Sequence, residues 1–184
     1  MDNWQSVPCG PFFPSRELPP EVLQALEPDD VQRLRYWGGR EGFCGRTWLR
    51  LFRFEELAEL NWAFEAPRYF PEVLLFGSNG MGEAFALHLK KGHVLQVPFI
   101  PLMAQEAERR APSLEHFLAS LAATGPAREP DAQMLGHELH AKQPLCMGGS
   151  PTDPDNRVYV SVPKYAEVCR FWNEAYRNAL SPEG

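Results

Sequence analysis

The stretch Leu75–Leu87 reads LFGSNGMGEAFAL and places an Asn-Gly pair between two apolar runs. An Asn-Gly pair in this setting is a strong short-range signal for a β-hairpin, because both residues accept the left-handed backbone of a tight turn. The residues after the turn alternate as a strand requires. We therefore predict strands over Glu72–Phe76 and Glu83–Leu89, joined by a glycine-rich turn at Ser78–Gly82.

The glycines Gly77 and Gly82 also stand at the spacing of a phosphate-binding loop. Such a loop continues with Lys and then Ser or Thr, since the ammonium contacts the phosphates and the hydroxyl binds magnesium. This chain has Glu83 and Ala84 at those two positions, so a carboxylate would repel the phosphates and no hydroxyl is offered to a metal ion. We predict that the turn binds no nucleotide and that the chain carries no cofactor.

The hairpin extends into a predicted antiparallel meander. A third strand over Val94–Ile100 follows the glycine of Lys91-Gly92, and it should end near Pro98 or lie at an edge, because proline cannot donate to a central ladder. Apolar periodicity and caps predict the remaining elements. These are two short helices that end at Gly38-Gly39, a strand over Thr47 to Phe54, a helix over Glu55 to Phe64, a helix capped by Ser113, a strand over Arg157–Val162 and a helix over Lys164 to Leu180.

The 184 residues are enough for one domain with a substantial core. Residues 1–18 are rich in proline and predict an irregular N-terminal arm, and residues 19–184 predict a single domain. Residues 124–156 show no sustained period and predict a long loop, which in a small domain is usually functional or mobile. The last strand and helix form a C-terminal extension beyond that loop.

Eighteen basic and twenty-four acidic residues give a formal net charge of −6, which disfavours a nucleic-acid partner. No apolar run approaches the length of a membrane span. The N-terminus lacks the basic and apolar regions of a signal peptide, and the four cysteines, Cys9, Cys44, Cys146 and Cys169, form no C-x-x-C pair. We predict a cytoplasmic protein with free thiols and no membrane partner.

The polar cluster His137, Glu138, His140 and Cys146 suggests a metal site only at first sight. A zinc protease motif needs its histidines four residues apart on a helix, and here they are three apart. No nucleophile signature surrounds any serine or cysteine either. We predict no metal and no catalytic residues, and a small hydrolase or metal-dependent enzyme using residues 124–156 is kept as the alternative.

Acidic residues are concentrated in the first third of the chain. Residues 1–66 hold seven arginines, no lysine and eleven acidic residues, a balance of −4. Acids at the start of a helix often serve only the favourable field of its N-terminus. The other interpretation is an acidic patch that faces a partner.

The order of motifs resembles the SUKH superfamily, which is named in part for a yeast cell-wall assembly regulator. The resemblance rests on LRYWGGREGF, FEELAELNWAFEAP, PEVLLFGSNGMGEAFALHL, VLQVPFIPL and APSLEHFLASL, within residues 19–122. It implies an α+β fold, with a mostly antiparallel sheet and helices on one side and at the ends. Trp37 and Met81 depart from the residues that are common at their positions in the superfamily.

The resemblance also implies a function. The commonest bacterial role in the superfamily is that of an immunity protein, which binds and neutralises a toxin, often a nuclease. A basic toxin suits an acidic binder, because opposite charges speed encounter. The predicted contact residues are Glu41, Glu55, Glu56, Glu59, Asn79, Gly80 and Glu83. A housekeeping regulatory scaffold without a toxin partner is the remaining alternative.

Overall fold

Seven strands form one antiparallel sheet in which each strand pairs with its neighbours in the sequence. The computed structural model describes residues 7–123 and 131–181. The strands are β1 Val7–Pro8, β2 Arg40–Cys44, β3 Thr47–Leu51, β4 Val73–Ser78, β5 Glu83–His88, β6 Val94–Pro98 and β7 Glu108–Ala111. A separate hairpin pairs β8 His137–Ala141 with β9 Arg157–Ser161.

The described part of the chain also has six helices: α1 Pro20–Ala25, α2 Pro28–Trp37, α3 Leu57–Ala63, α4 Ala66–Tyr69, α5 Leu114–Ala123 and α6 Val162–Leu180. Short 3-10 turns cover Phe54–Glu56, Ala104–Glu106, Leu145–Met147 and Pro154–Asn156. Helix α3 packs on β4, and α2 packs on α5. The chain therefore has the α+β fold that was predicted. Within the described ranges, no helix is long and apolar enough to cross a membrane.

The predicted hairpin is confirmed as β4 and β5, with Ser78 opposite Ala84. The side-chain oxygen of Asn79 accepts hydrogen bonds from the backbone N–H of Met81 at 2.9 Å and of Glu83 at 3.2 Å. Gly80 has a φ of +67°, and a Cβ there would lie 2.4 Å from Cδ1 of Trp48. Only glycine suits this position, because both the backbone angle and the space exclude a side chain.

Strand β6 ends at Pro98 as predicted, although it lies inside the sheet and pairs with β7 on its far side. Ser113 accepts a hydrogen bond from the backbone N–H of His116 and caps α5, also as predicted. The arm is less irregular than expected, because Val7 and Pro8 pair with β2 at the sheet edge. Phe12 and Phe13 pack against the core from that arm.

The long loop predicted over residues 124–156 is wrong in part, because it contains β8; residues 124–130 lie outside the described residues. The pattern of apolar residues does not predict this strand. Its two buried positions are Glu138 and His140, so the side chains that face inward are the polar ones. A search for alternating apolar residues cannot find a strand of this kind.

Helix α6 shares the main core with the sheet. Tyr165 is 2% exposed and packs edge-on against Phe64 and Phe99. The buried amide of Asn173 accepts from the N–H of Leu102 at 2.9 Å and donates to the carbonyl of Phe99 at 2.8 Å. The C-terminal helix is thus held to the end of β6 by packing and by two hydrogen bonds.

Candidate functional site

A buried arginine joins the β8–β9 hairpin to the main sheet. Arg50 on β3 is 0% exposed. Its Nη2 lies 3.1 Å from Oε1 of Glu41, and its Nη1 donates to Oε1 of Glu138. Nη2 also donates to the carbonyls of Met134 at 3.0 Å and of His137 at 2.7 Å. One guanidinium therefore binds β2, β8 and the turn before β8.

Backbone hydrogen bonds complete this junction. The N–H of Gly136 donates to Oε1 of Glu41 at 2.8 Å. The N–H of Leu139 donates to the carbonyl of Gly80 at 2.9 Å, so β8 is tied directly to the glycine-rich turn. The turn and the β8–β9 hairpin consequently form one continuous surface.

The junction holds two carboxyl groups against one guanidinium, and all three are buried. Ser78 donates its hydroxyl to Oε1 of Glu138, and Oε2 of Glu138 has no hydrogen-bond partner among the described residues. Burial raises the pKa of Glu138, and the nearby Glu41 raises it further against the opposing effect of Arg50.

Replacing Glu138 by Gln should change how stability depends on pH. Because the folded-state pKa of Glu138 lies above its ordinary value of 4.5, the folded state binds this proton more tightly than the unfolded chain does. The contribution of Glu138 is full below that ordinary value and is lost as pH rises through the folded pKa. Urea denaturation at several values from about pH 4 to about pH 8 measures this effect. As pH rises, the free energy of unfolding of Glu138→Gln should increase relative to that of wild type. Glu108→Gln, on the exposed edge strand β7, is the control, and parallel wild-type and Glu138→Gln curves would contradict the raised pKa.

Two of the predicted contact residues do not reach the surface. Glu41 is 1% exposed and belongs to the Arg50 junction. Glu56 is 2% exposed, and its Oε1 accepts the backbone N–H groups of Phe12 and Phe13. The prediction that Glu41 and Glu56 contact a partner is wrong for this fold, because both carboxylates bind internal donors.

Two further predicted residues, Glu55 and Glu59, already have basic neighbours. Glu55 lies 3.7 Å from Arg35, and Glu59 lies 3.2 Å from Arg16. These ion pairs reduce the negative field that the sequence alone suggested for the start of α3. In the same third of the chain, Glu17, Glu21 and Glu27 are exposed and make no ion pair with any described residue.

The other predicted residues, Asn79, Gly80 and Glu83, do lie together in the glycine-rich turn. Glu83 accepts from the side-chain amides of Asn79 at 2.6 Å and of Gln96. These bonds stabilise the turn. Met81 lies at the tip of the turn, and its side chain is 59% exposed. Their role as partner contacts stays a prediction.

Met81 stands between two clefts. The first, named here the tryptophan cleft, has a volume of about 250 Å³ and is lined by Phe43, Arg46, Trp48, Asn79, Met134 and Tyr159. The second, named here the hairpin cleft, has a volume of about 450 Å³ and is lined by Glu83, Pro98, Ile100, Glu106, His140 and Leu145. Met81 and Leu139 line both clefts, and Leu145 is 59% exposed at the second. Neither Met81 nor Leu145 was among the predicted contacts.

The histidines of the suggested metal site point away from each other. His137 and His140 are three residues apart on β8, so their side chains lie on opposite faces of the strand. Across residues 7–123 and 131–181, no three His, Cys, Asp or Glu side chains are grouped closely enough to hold a metal ion. Burial raises the pKa of the Cys9, Cys146 and Cys169 thiols, which keeps them protonated and weakly nucleophilic.

Comparison with known proteins gives no relative: no protein-family model matches the chain, and no curated protein is significantly similar to it. Membership of the SUKH superfamily therefore stays a prediction from the motifs. The turn, the two clefts and the hairpin together form the candidate binding surface.

Proposed function

We propose that the chain is a non-enzymatic binding protein, an immunity protein of the SUKH type that binds and neutralises a basic protein toxin. The observation that carries the proposal is the exposed side chain of Met81 on a hydrogen-bonded turn between two clefts. The resemblance of the motifs supplies the toxin class, and a nuclease fits best because its active site must attract phosphates. The proposed role places the chain in the cytoplasm.

The turn has the properties of a binding hot spot. Methionine is enriched at protein interfaces because its unbranched side chain adapts to a partner, and here it is held on a backbone that is already ordered. The hydrogen bonds of Asn79 and Glu83 fix that backbone before binding. Association then loses less conformational entropy than it would from a mobile loop. The clefts on either side offer room for side chains of the partner.

Charge supports a basic partner at Glu83, which was among the predicted contacts, and at Glu106, which was not. The net charge is −6, and Glu83 and Glu106 line the hairpin cleft. Complementary charge mainly raises the rate of association and rejects acidic partners. The acidic α3 region contributes less than expected, because Glu55 and Glu59 are paired and Glu56 is buried.

The enzyme alternative gains no support from the geometry of its proposed residues. It relied on His137 and His140, which lie on opposite faces of β8. The housekeeping scaffold would use the same surface with another protein partner. The identity of the partner, and not the shape of the surface, distinguishes that alternative from immunity.

Co-expression with the product of the adjacent reading frame tests the proposal. The chain should restore growth to cells that express the toxic domain of that product, because it covers the toxin's active surface. The two proteins should also co-elute as a stable complex in size-exclusion chromatography. Cell death despite abundant folded chain, together with separate elution, would overturn the proposal. A non-toxic neighbour that forms the complex would replace immunity with the scaffold alternative.

A further inference from the structure

We propose that the hairpin cleft receives an arginine side chain from a basic loop of the partner. This inference rests on the proposed function in that the occupant belongs to a protein, and it names the chemistry that the surface recognises. It is carried by three features of the cleft: apolar walls, two carboxylates without a cation, and a histidine ring that can accept a hydrogen bond.

The walls suit the aliphatic part of a long side chain. Pro98 and Ile100 at the end of β6 form one side, and Leu139 on β8 with Leu145 in the following turn form the other. The volume of about 450 Å³ exceeds that of one side chain and accommodates a short piece of a loop. Arginine covers such apolar walls with its methylene groups while its charged end reaches polar atoms.

The acidic residues that line the cleft, Glu83 and Glu106, have no Lys or Arg among its other described lining residues. The hydrogen bonds to Glu83 come from the neutral amides of Asn79 and Gln96, so they leave its charge in place. Glu106 is exposed and has no ion pair with any residue in the described part of the chain. A positively charged group from the partner would complement the charges of Glu83 and Glu106.

The independent observation is His140. Its side chain lines the cleft, is only 6% exposed, and makes no hydrogen bond to any described residue. The ring packs edge-on against Tyr165, with 5.7 Å between ring centroids. Burial lowers the pKa of His140, so the ring is neutral near pH 7 and keeps one nitrogen lone pair that can accept a hydrogen bond. A donor on the partner that enters the cleft can therefore form a hydrogen bond with this nitrogen.

Arginine satisfies this set better than other side chains. A guanidinium carries five N–H donors on a planar fork, enough for the two carboxylates and the imidazole nitrogen together. It is also less strongly hydrated than the ammonium of lysine, so it enters a half-enclosed cleft more easily. An apolar side chain would leave the charges of Glu83 and Glu106 without a cation and would displace the water around them.

The test uses N-acetyl-arginine amide as the probe and N-acetyl-citrulline amide, its uncharged analogue, as the control. Titration followed by two-dimensional NMR should show a millimolar dissociation constant for the arginine probe. Shifts should concentrate at the hairpin cleft, including the ring resonances of His140. The citrulline probe should bind at least about fivefold more weakly, because it lacks the charge. Shifts outside the cleft, or equal binding of the two probes, would overturn the assignment.

Matched variants separate this inference from the proposed function. Glu106→Gln should weaken binding of the arginine probe about two- to fivefold, and Glu108→Gln, which lies outside the cleft, should leave it unchanged. Equal effects of the two variants would contradict the assignment. Growth protection that survives together with an absent arginine response would remove the cleft assignment and leave immunity standing. Binding of the arginine probe without protection from the toxin would remove immunity and leave the cleft assignment standing.

Discussion

Replacing Arg50 by Met should lower the free energy of unfolding by about 3–5 kcal/mol, the cost typical of removing one partner from a buried ion pair. Methionine fills much of the space of the arginine stem, so the effect comes mainly from charge and hydrogen bonding. Glu41 and Glu138 would then face each other without a cation, and the carbonyls of Met134 and His137 would lose their donor. Urea denaturation measures the change directly.

Arg110→Met provides the matched control for this experiment. Arg110 is an exposed arginine on the edge strand β7, and its replacement should change stability by no more than about 0.5 kcal/mol. Combining Arg50→Met with Glu138→Gln should recover part of the loss, because Glu41 then no longer faces a second carboxyl group without a cation. A loss below about 1 kcal/mol for Arg50→Met alone would show that the junction does not hold the hairpin to the sheet.

The parts of the fold that the sequence predicts are those with strong local signals. A few neighbouring residues are enough to predict each of these parts. They are the Asn-Gly turn, the apolar runs of β4 to β6 and the cap of α5. Strand β7 was not predicted because three of its four residues are exposed and polar. Strand β8 was not predicted because its buried side chains are Glu138 and His140.

The candidate site was only partly predictable for a related reason. Counting charges located acidic residues, but the count cannot distinguish a surface carboxylate from Glu41 or Glu56, which bind internal donors. One signal was present: Arg50 stands within the apolar run Trp48 to Phe52, where a charged residue must be buried with a partner. Its main partner, Glu138, is 88 residues away, so spacing could not identify it.

The second large effect is expected at the binding surface. Met81→Lys should weaken the complex with the adjacent reading frame's product by about 30-fold or more, the size of a hot-spot effect. The new ammonium would lose water in an apolar contact, and it would repel a basic partner. Met81 is 59% exposed, so the fold should tolerate the change.

Trp62→Lys is the control for the same measurement, because it makes the same change in net charge elsewhere. Trp62 is 61% exposed on α3 and lines neither the tryptophan cleft nor the hairpin cleft. Long-range steering is altered equally in both variants, so a difference between them reports contact.

The dissociation constant of the complex, measured by calorimetry for wild type, Met81→Lys and Trp62→Lys, tests the central claim most directly. The claim is that the glycine-rich turn and its two clefts form the binding surface of a non-enzymatic protein. It predicts a large loss of affinity for Met81→Lys and a change within about twofold for Trp62→Lys. An unchanged affinity for Met81→Lys, with a large loss for Trp62→Lys, would place the interface on α3 and contradict the claim.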